Sequence, residues 1–179
     1  MSTRYIEEFL NLRCAPDLLR FKVFPKNGIT KEITECMGAF HALRDLLSAK
    51  SFARTDITVY VVGDGTTPRM GALLAHMTRW NVFSVDPRMR NETWTTIRGL
   101  TCIPKKIEDV EIQEGALTLV VGIHNHAPLE GVWNRIHGPK ICIAIPCCVP
   151  QSVGRDPDQE YNDPGILSEK NHILIWKNL

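Results

Sequence analysis

The sequence predicts an α/β fold in which a doubly wound, mostly parallel sheet forms the middle of three α/β/α layers. First, apolar runs alternate with amphipathic segments along residues 57–146. Second, these runs are apolar throughout, which is typical of strands that are covered on both faces. Third, a glycine-containing turn follows the first of these runs, and sheets of this type bind their ligands at such a turn.

The N-terminal part of the chain, about residues 1–50, is predicted to be helical. We expect it to belong with the sheet to a single domain of 179 residues, a length that supports one hydrophobic core. The clearest helix lies in "NGITKEITECMGAFHALRDLLSAK", where apolar residues recur at helical spacing. Thr30 is its predicted N-cap, because a threonine hydroxyl can accept a hydrogen bond from the first turn. A shorter helix is predicted within "TRYIEEFLNLR".

The remaining elements continue the alternation of strands and helices. Further helices are predicted at 68–79 and 129–138. Residues 151–171 are polar and contain Pro, Gly and Asp, so a loop is predicted there. No helix precedes the last strand, which is compatible with an antiparallel strand at the edge of the sheet. The predicted strands span 57–63, 81–86, 100–104, 116–123, 140–146 and 172–178.

The overall charge and hydropathy limit the classes of partner. The net charge is +1, which gives no global electrostatic reason to bind nucleic acid or an anionic membrane, although a local basic patch stays open. No stretch approaches the roughly 18 apolar residues of a membrane span, and "MSTRYIEEFLNLR" lacks a secretory apolar core. We therefore expect a cytoplasmic protein without a membrane partner. Its six cysteines are then more consistent with free thiols than with disulfides.

The turn after the first strand and an acid after the second suggest a nucleoside ligand. Gly63 and Gly65 have no Cβ and let a ligand approach the backbone. Asp86 ends the second predicted strand, where an acid can accept hydrogen bonds from both ribose hydroxyls. Dinucleotide-binding loops have a third glycine in the helix, but here Pro68 removes an N–H group and Asp64 adds negative charge. The loop therefore favours a ribose ligand with a cationic or zwitterionic tail over a pyrophosphate.

Five segments resemble motifs of the class I S-adenosylmethionine (SAM)-dependent methyltransferases, whose fold is Rossmann-like. They are "VVGDG" at the first strand, "SVDP" at the second, "KKIEDV", "LVVGIHNHAPLEGV" at the fourth and "IAIPCC" at the fifth. The resemblance covers about residues 57–148. It implies SAM as the cofactor and methyl transfer as the reaction.

The same resemblance implies the residues that contact each part of SAM. Gly63, Asp64 and Gly65 would line the methionine part. Asp86 would hold the ribose hydroxyls, and Pro87 and Arg88 would shape the rim of the binding site. For each of these residues, a purely structural role in a turn or cap is the alternative.

Further along the chain, the resemblance implies the adenine and sulfonium contacts. Ile107 would provide an apolar contact for the adenine, and Glu108 would accept a hydrogen bond from its amino group; the alternative for Glu108 is a solvated surface acid. His124 would lie beside the sulfonium. His124 or His126 is a candidate catalytic base near the acceptor, since a histidine can take up a proton at neutral pH.

The histidines of "HNH" and the cysteines of "PCC" both follow strands, so they invite comparison with a zinc site. Structural zinc sites usually space their cysteines by two to four residues, whereas Cys147 and Cys148 are adjacent. We therefore predict no metal and regard packing at the strand end as the simplest role of both thiols. The zinc deaminase signature also fails, because position 126 is histidine rather than glutamate.

Two functions remain open from the sequence. The first is a SAM-dependent methyltransferase that acts on RNA or a small molecule. The second is a non-catalytic, methyltransferase-like scaffold or subunit that binds a protein partner. If exposed, Trp94, Trp133 or Trp176 would mark an interface, although packing in the core is the default expectation for each. A dinucleotide-dependent enzyme is disfavoured by the loop chemistry given above. The oligomeric state is not indicated.

Overall fold

A computed structural model describes residues 3–90 and 93–179 of the chain; the side chains of Thr93 and Thr95 are not described. Within these residues the helices are α1 (Arg4–Leu10), α2 (Ala15–Arg20), α3 (Ile29–Leu46), α4 (Arg69–Met77) and α5 (Leu129–Arg135). The strands are β1 (Ile57–Val62), β2 (Asn81–Val85), β3 (Leu100–Ile103), β4 (Leu117–Ile123), β5 (Lys140–Ile145), β6 (Gln159–Asn162) and β7 (His172–Asn178). Short 3₁₀ turns lie between several of them.

The strands form one sheet in the order β3-β2-β1-β4-β5-β7-β6. Strands β1 to β5 are mutually parallel, whereas β7 is antiparallel to β5 and to β6. The predicted doubly wound, mostly parallel α/β fold is confirmed. The order of the strands reverses between β1 and β4, and open α/β sheets bind ligands at such a switch point.

Alternate side chains of the central strands enter two separate apolar cores. Val59 and Val61 of β1 pack on the side of α1 to α4. Tyr60 and Val62 point to the opposite face, which α5 covers. Because both faces are covered, every residue of β1 is buried, as the continuous apolar run predicted.

Three details differ from the sequence prediction. Helix α3 begins at Ile29 rather than after Thr30, because Gly28 adopts a left-handed conformation with φ 74° that turns the chain into the helix two residues earlier. The segment 151–171 contains strand β6, whose four residues are all exposed and therefore carry no apolar pattern. Strand β7 is antiparallel as considered, but it lies between β5 and β6 rather than at the edge.

The three tryptophans considered as interface residues belong to the interior. Trp94, Trp133 and Trp176 are all buried. The six cysteines all lie in the described residues and are free thiols, and Cys148 is the exposed one among them. Within residues 3–90 and 93–179, no helix has the length and apolar character that crossing a membrane requires.

Candidate functional site

A cavity of about 540 Å³ opens at the carboxyl ends of β1, β2 and β4, beside the point where the strand order reverses. This volume lies within the range of small-molecule sites in proteins. Seven of the predicted site residues line it: Gly63, Asp86, Pro87, Ile107, Glu108, His124 and His126. Residues far apart in sequence meet here because parallel strands end at the same edge of the sheet.

Gly63 forms the floor of the cavity, where two segments of backbone approach closely. Its φ is 71°, and a Cβ built on it would lie 2.6 Å from the Cβ of Asn125. Asn125 is 2 % exposed and also lines the cavity. Neither polar atom of its amide has a hydrogen-bond partner among the described residues. Only glycine fits at position 63, and the amide that packs on it retains its full hydrogen-bonding capacity.

Asp86 lies directly beside the glycine turn. Its Oδ2 accepts a hydrogen bond from the N–H of Gly65 at 3.0 Å, and its Oδ1 accepts one from the N–H of Arg88 at 2.7 Å. The Nε of Arg88 lies 3.6 Å from the same Oδ1. Because a carboxylate has about four acceptor positions, two remain for a ligand. The carboxylate of Asp86 is therefore held in place and can still accept a hydrogen bond from each hydroxyl of a diol.

Asp64 turns away from the cavity. Its carboxylate accepts hydrogen bonds from the N–H groups of Met70 and Gly71 in α4 at 3.0 and 2.9 Å, and from the hydroxyl of Ser84 at 2.7 Å. Burial raises the pKa of this carboxyl, while Arg69 and the hydrogen bonds oppose that rise. In this arrangement Asp64 caps α4 instead of lining the cavity. Gly65 contributes its N–H to Asp86 and lines a neighbouring cleft.

The opposite wall comes from the segment after β3. Ile107 is buried at this wall, and Glu108 is exposed at the rim. Lys105 and Lys106 line the same side and bring positive charge to the entrance. An apolar side chain with an acceptor beside it suits a planar base with an amino group.

His124 joins the cavity to a buried carboxyl on α3. Its Nε2 lies 3.4 Å from Oε1 of Glu35, and Lys31 Nζ lies 3.8 Å from the same oxygen. Burial raises the pKa of Glu35 to about 7, and burial lowers the pKa of His124. His124 also has a φ of 50°, an uncommon conformation for a residue with a side chain. Such backbone conformations concentrate at functional sites.

The second histidine of the motif lies with the two adjacent cysteines. The Nε2 of His126 is 3.4 Å from each Sγ of Cys147 and Cys148, and the two sulfurs are 3.5 Å apart. Burial raises the pKa of the Cys147 thiol, but hydrogen bonds from Cys148 and His126 outweigh burial and bring it to about 7. The histidines of the "HNH" motif thus face different surroundings.

A cleft of about 660 Å³ adjoins the cavity on the side of the glycine turn. Arg69 of this cleft is ion-paired with Glu32 and also donates to the backbone oxygen of Asp64. No acidic side chain lines the cleft among the residues that the structure describes. Its basic side chains are Lys22, Lys26, Arg69, Arg88 and Arg90.

Comparison with known proteins connects this geometry to a fold. No protein-family model matches the sequence, and no curated protein does either. Solved structures of MtNAS, a nicotianamine synthase, do match. Those structures have a SAM-dependent methyltransferase-like fold, and this chain shares with them a Rossmann-like, mostly parallel α/β sheet.

Two of these structures are informative about the extent of the likeness. A mutant of MtNAS in complex with SAM has a TM-score of 0.55 and 14 % identity, over 99 % of this chain and 72 % of that chain. MtNAS in complex with MTA and tNA has a TM-score of 0.57 and 15 % identity, over 99 % and 70 %. At such identities the likeness concerns the fold.

Sequence reasoning missed two residues of the site. Asn125 lay within the quoted "HNH" motif, but its contact with Gly63 depends on the pairing of β1 with β4. Glu35 lay in an amphipathic helix, where an acid is ordinarily solvated. No sequence signal marked it, because residues two positions from Ile33 and Met37 lie on the other side of the helix, and only the structure shows that this part of α3 is buried throughout.

Proposed function

We propose that this protein binds SAM in the cavity and transfers its methyl group to an acceptor. The observation that carries the proposal is the placement of Asp86 beside the glycine turn, with two acceptor positions left on a buried carboxylate. Two vicinal ribose hydroxyls would use both positions. This pairing is the general means by which Rossmann-like sheets hold a ribose.

The other residues of the cavity fit the same ligand. Gly63 leaves the backbone accessible where a side chain would collide with Asn125. The unpartnered amide of Asn125 offers both a donor and an acceptor to a zwitterionic amino acid group. Ile107 and Glu108 would contact the adenine by an apolar face and an acceptor, respectively.

SAM, when bound, would supply an electrophilic methyl group on a sulfonium. The protein's main task is to align the acceptor with that group and exclude water. His124 lines the cavity and would accept the proton that the acceptor loses. Glu35, 3.4 Å away, would act as a positioning residue that orients the imidazole ring.

We infer that the acceptor carries phosphate, and we favour RNA. The basic cleft begins at Gly65 and Arg88, so it is continuous with the wall of the cavity. Lys22 and Lys26 add positive charge further along it. Such a local concentration of cations attracts a polyanion even though the net charge of the chain is only +1.

A second reaction is favoured by one comparison. The structure of MtNAS contains MTA, and MTA is the thioether that remains when SAM loses its aminocarboxypropyl group. Methyl transfer leaves S-adenosylhomocysteine instead. The same cavity residues would serve either reaction, because only the position of the acceptor around the sulfonium differs.

Calorimetric titration of the purified protein with SAM and with NAD tests the cofactor. We expect SAM to bind and Asp86→Ala to weaken it by about 1.5–3 kcal/mol, or about 10- to 150-fold, since hydrogen bonds from the ribose to a charged acceptor are lost. Asp86→Asn keeps one acceptor oxygen and should lose less. Asp56→Ala is the matched control, because Asp56 is exposed and pairs with Arg54 away from the cavity. Tight NAD binding without SAM binding would refute the proposal.

Product analysis distinguishes the reactions. The protein is incubated with SAM and a mixed-sequence oligoribonucleotide, and the nucleoside products are separated by chromatography. S-adenosylhomocysteine supports methyl transfer, whereas MTA supports aminocarboxypropyl transfer. Binding of SAM with neither product, from the oligoribonucleotide or from a panel of phosphorylated small molecules, would favour the non-catalytic scaffold.

A further inference from the structure

Three side chains of the types that bind metals lie together at the rim of the cavity. His126 follows β4, and Cys147 and Cys148 follow β5, which pairs with β4 up to Ile123 and Ile145. The topology therefore delivers all three to one edge of the sheet. Their ligand atoms form a nearly equilateral triangle, with sides of 3.4, 3.4 and 3.5 Å.

This triangle has the dimensions of one face of a zinc tetrahedron. With Zn–S of about 2.3 Å and Zn–N of about 2.0–2.1 Å, a tetrahedral ion separates two sulfurs by about 3.8 Å and a sulfur from a nitrogen by about 3.6 Å. The observed sides are shorter by only about 0.2–0.3 Å, which small side-chain rotations would correct. The sulfurs are also much farther apart than the roughly 2.05 Å of a disulfide.

Adjacent cysteines rarely bind the same zinc ion, but the local backbone of Cys147 and Cys148 allows it. The chain bends at residues 147–149 directly after β5, so both sulfurs project to the same side. Cys147 Sγ also lies 3.8 Å from the backbone oxygen of His124. Two adjacent cysteines can therefore reach the same ion here, because the bend turns both side chains in one direction without residues between them.

We propose that His126, Cys147 and Cys148 bind one zinc ion through three protein ligands, with the fourth position open. His126 and Cys148 are exposed and Cys147 is half-buried, so solvent or a substrate can reach the ion. Three protein ligands and an open position are typical of catalytic rather than structural zinc. Because His126 also lines the cavity, the ion would lie at its entrance. The site stands independently of SAM binding.

The test uses full-length, untagged protein that is kept reduced and freed of metal by a chelator. Titration with Co²⁺ should produce thiolate-to-cobalt charge-transfer absorption and the intense visible bands of four-coordinate cobalt. Zn²⁺ should abolish both at one equivalent. An open fourth position predicts that a small added thiol shifts the visible bands.

Variants of the ligands provide the second measurement. Cys148→Ser and His126→Ala should each weaken zinc binding by more than about 100-fold, since even the loss of an outer-shell partner costs 10–100-fold. His137→Ala and Cys102→Ser are the matched controls, because neither residue belongs to the cluster. Both ligand residues are exposed, and far-UV circular dichroism checks that the variants fold.

Two results would overturn the proposal. One is a reduced, metal-free protein that binds neither Co²⁺ nor Zn²⁺. The other is metal binding that the ligand variants leave unchanged, which would indicate adventitious binding elsewhere. None of these readouts depends on SAM or on turnover, so failure here is distinguishable from failure of the proposed function.

Discussion

Replacing Gly63 by alanine tests the close approach of backbone at the floor of the cavity. The left-handed φ of 71° costs an ordinary residue about 1–2 kcal/mol. The new Cβ would also lie 2.6 Å from the Cβ and 3.2 Å from the Cα of Asn125, far inside ordinary contact. Overpacking of this kind typically costs about 1–3 kcal/mol. We therefore expect Gly63→Ala to lower the free energy of unfolding by about 2–5 kcal/mol.

Alanine substitutions at two other glycines separate the conformational cost from the cost of overpacking. Gly28 has a φ of 74° but no atom within 4 Å of its added Cβ, so Gly28→Ala should lose only the conformational part, about 1–2 kcal/mol. Gly131 lies in helix α5 with open space around it, so Gly131→Ala should stabilise the protein by about 0.5–1 kcal/mol.

The assay is equilibrium unfolding in urea, with the slopes compared among all variants. If Gly63→Ala proves no more destabilising than Gly28→Ala, the collision with Asn125 does not occur and the geometry of the cavity floor is wrong.

Three further predictions concern buried polar groups. Burial raises the pKa of Glu35 from 4.5 to about 7, so the folded state keeps a proton that the unfolded state releases. The free energy of unfolding should therefore fall as pH rises from about 5 to about 7, by on the order of 3 kcal/mol, and Glu35→Gln should remove this component in pH-dependent denaturation. Asp64→Ala should lower the free energy of unfolding by about 3–5 kcal/mol, because it leaves buried donors of α4 unpaired; a loss no larger than that of an exposed acid would contradict the capping role. Tyr5→Phe removes the buried hydrogen bond of 2.6 Å to Asp163 and should cost about 1.5–3 kcal/mol by thermal unfolding, whereas the exposed Tyr161→Phe should be neutral.

Much of the fold follows from local pattern. The continuous apolar run of β1 predicted a strand buried on both faces, and the strand is buried throughout. The polar strand β6 escaped prediction because it lies at the edge and all its side chains are exposed. The start of α3 was misplaced by two residues, since a left-handed glycine turns the chain there without any side-chain cap.

The site could be predicted only in part. Gly63 and Asp86 were accessible because each follows a strand with a recognisable pattern, and parallel strands end at one edge. The pairing of His124 with Glu35 was not, since it joins a strand end to a helix 89 residues earlier in the chain. His126, Cys147 and Cys148 were visible in the sequence, but the adjacency of the two cysteines argued against their binding one metal ion.

The sequence by itself determined the layered α/β architecture, because hydrophobic periodicity and glycine placement act on neighbouring residues. It also determined which chemical groups stand after each strand. Only the tertiary structure decided which of those groups face one another: Asp64 turns into α4, Asn125 packs on Gly63, and His126 meets Cys147 and Cys148. The physical reason is that the pairing of distant strands and the bend after each one set the direction of these side chains, and neither is encoded in local pattern.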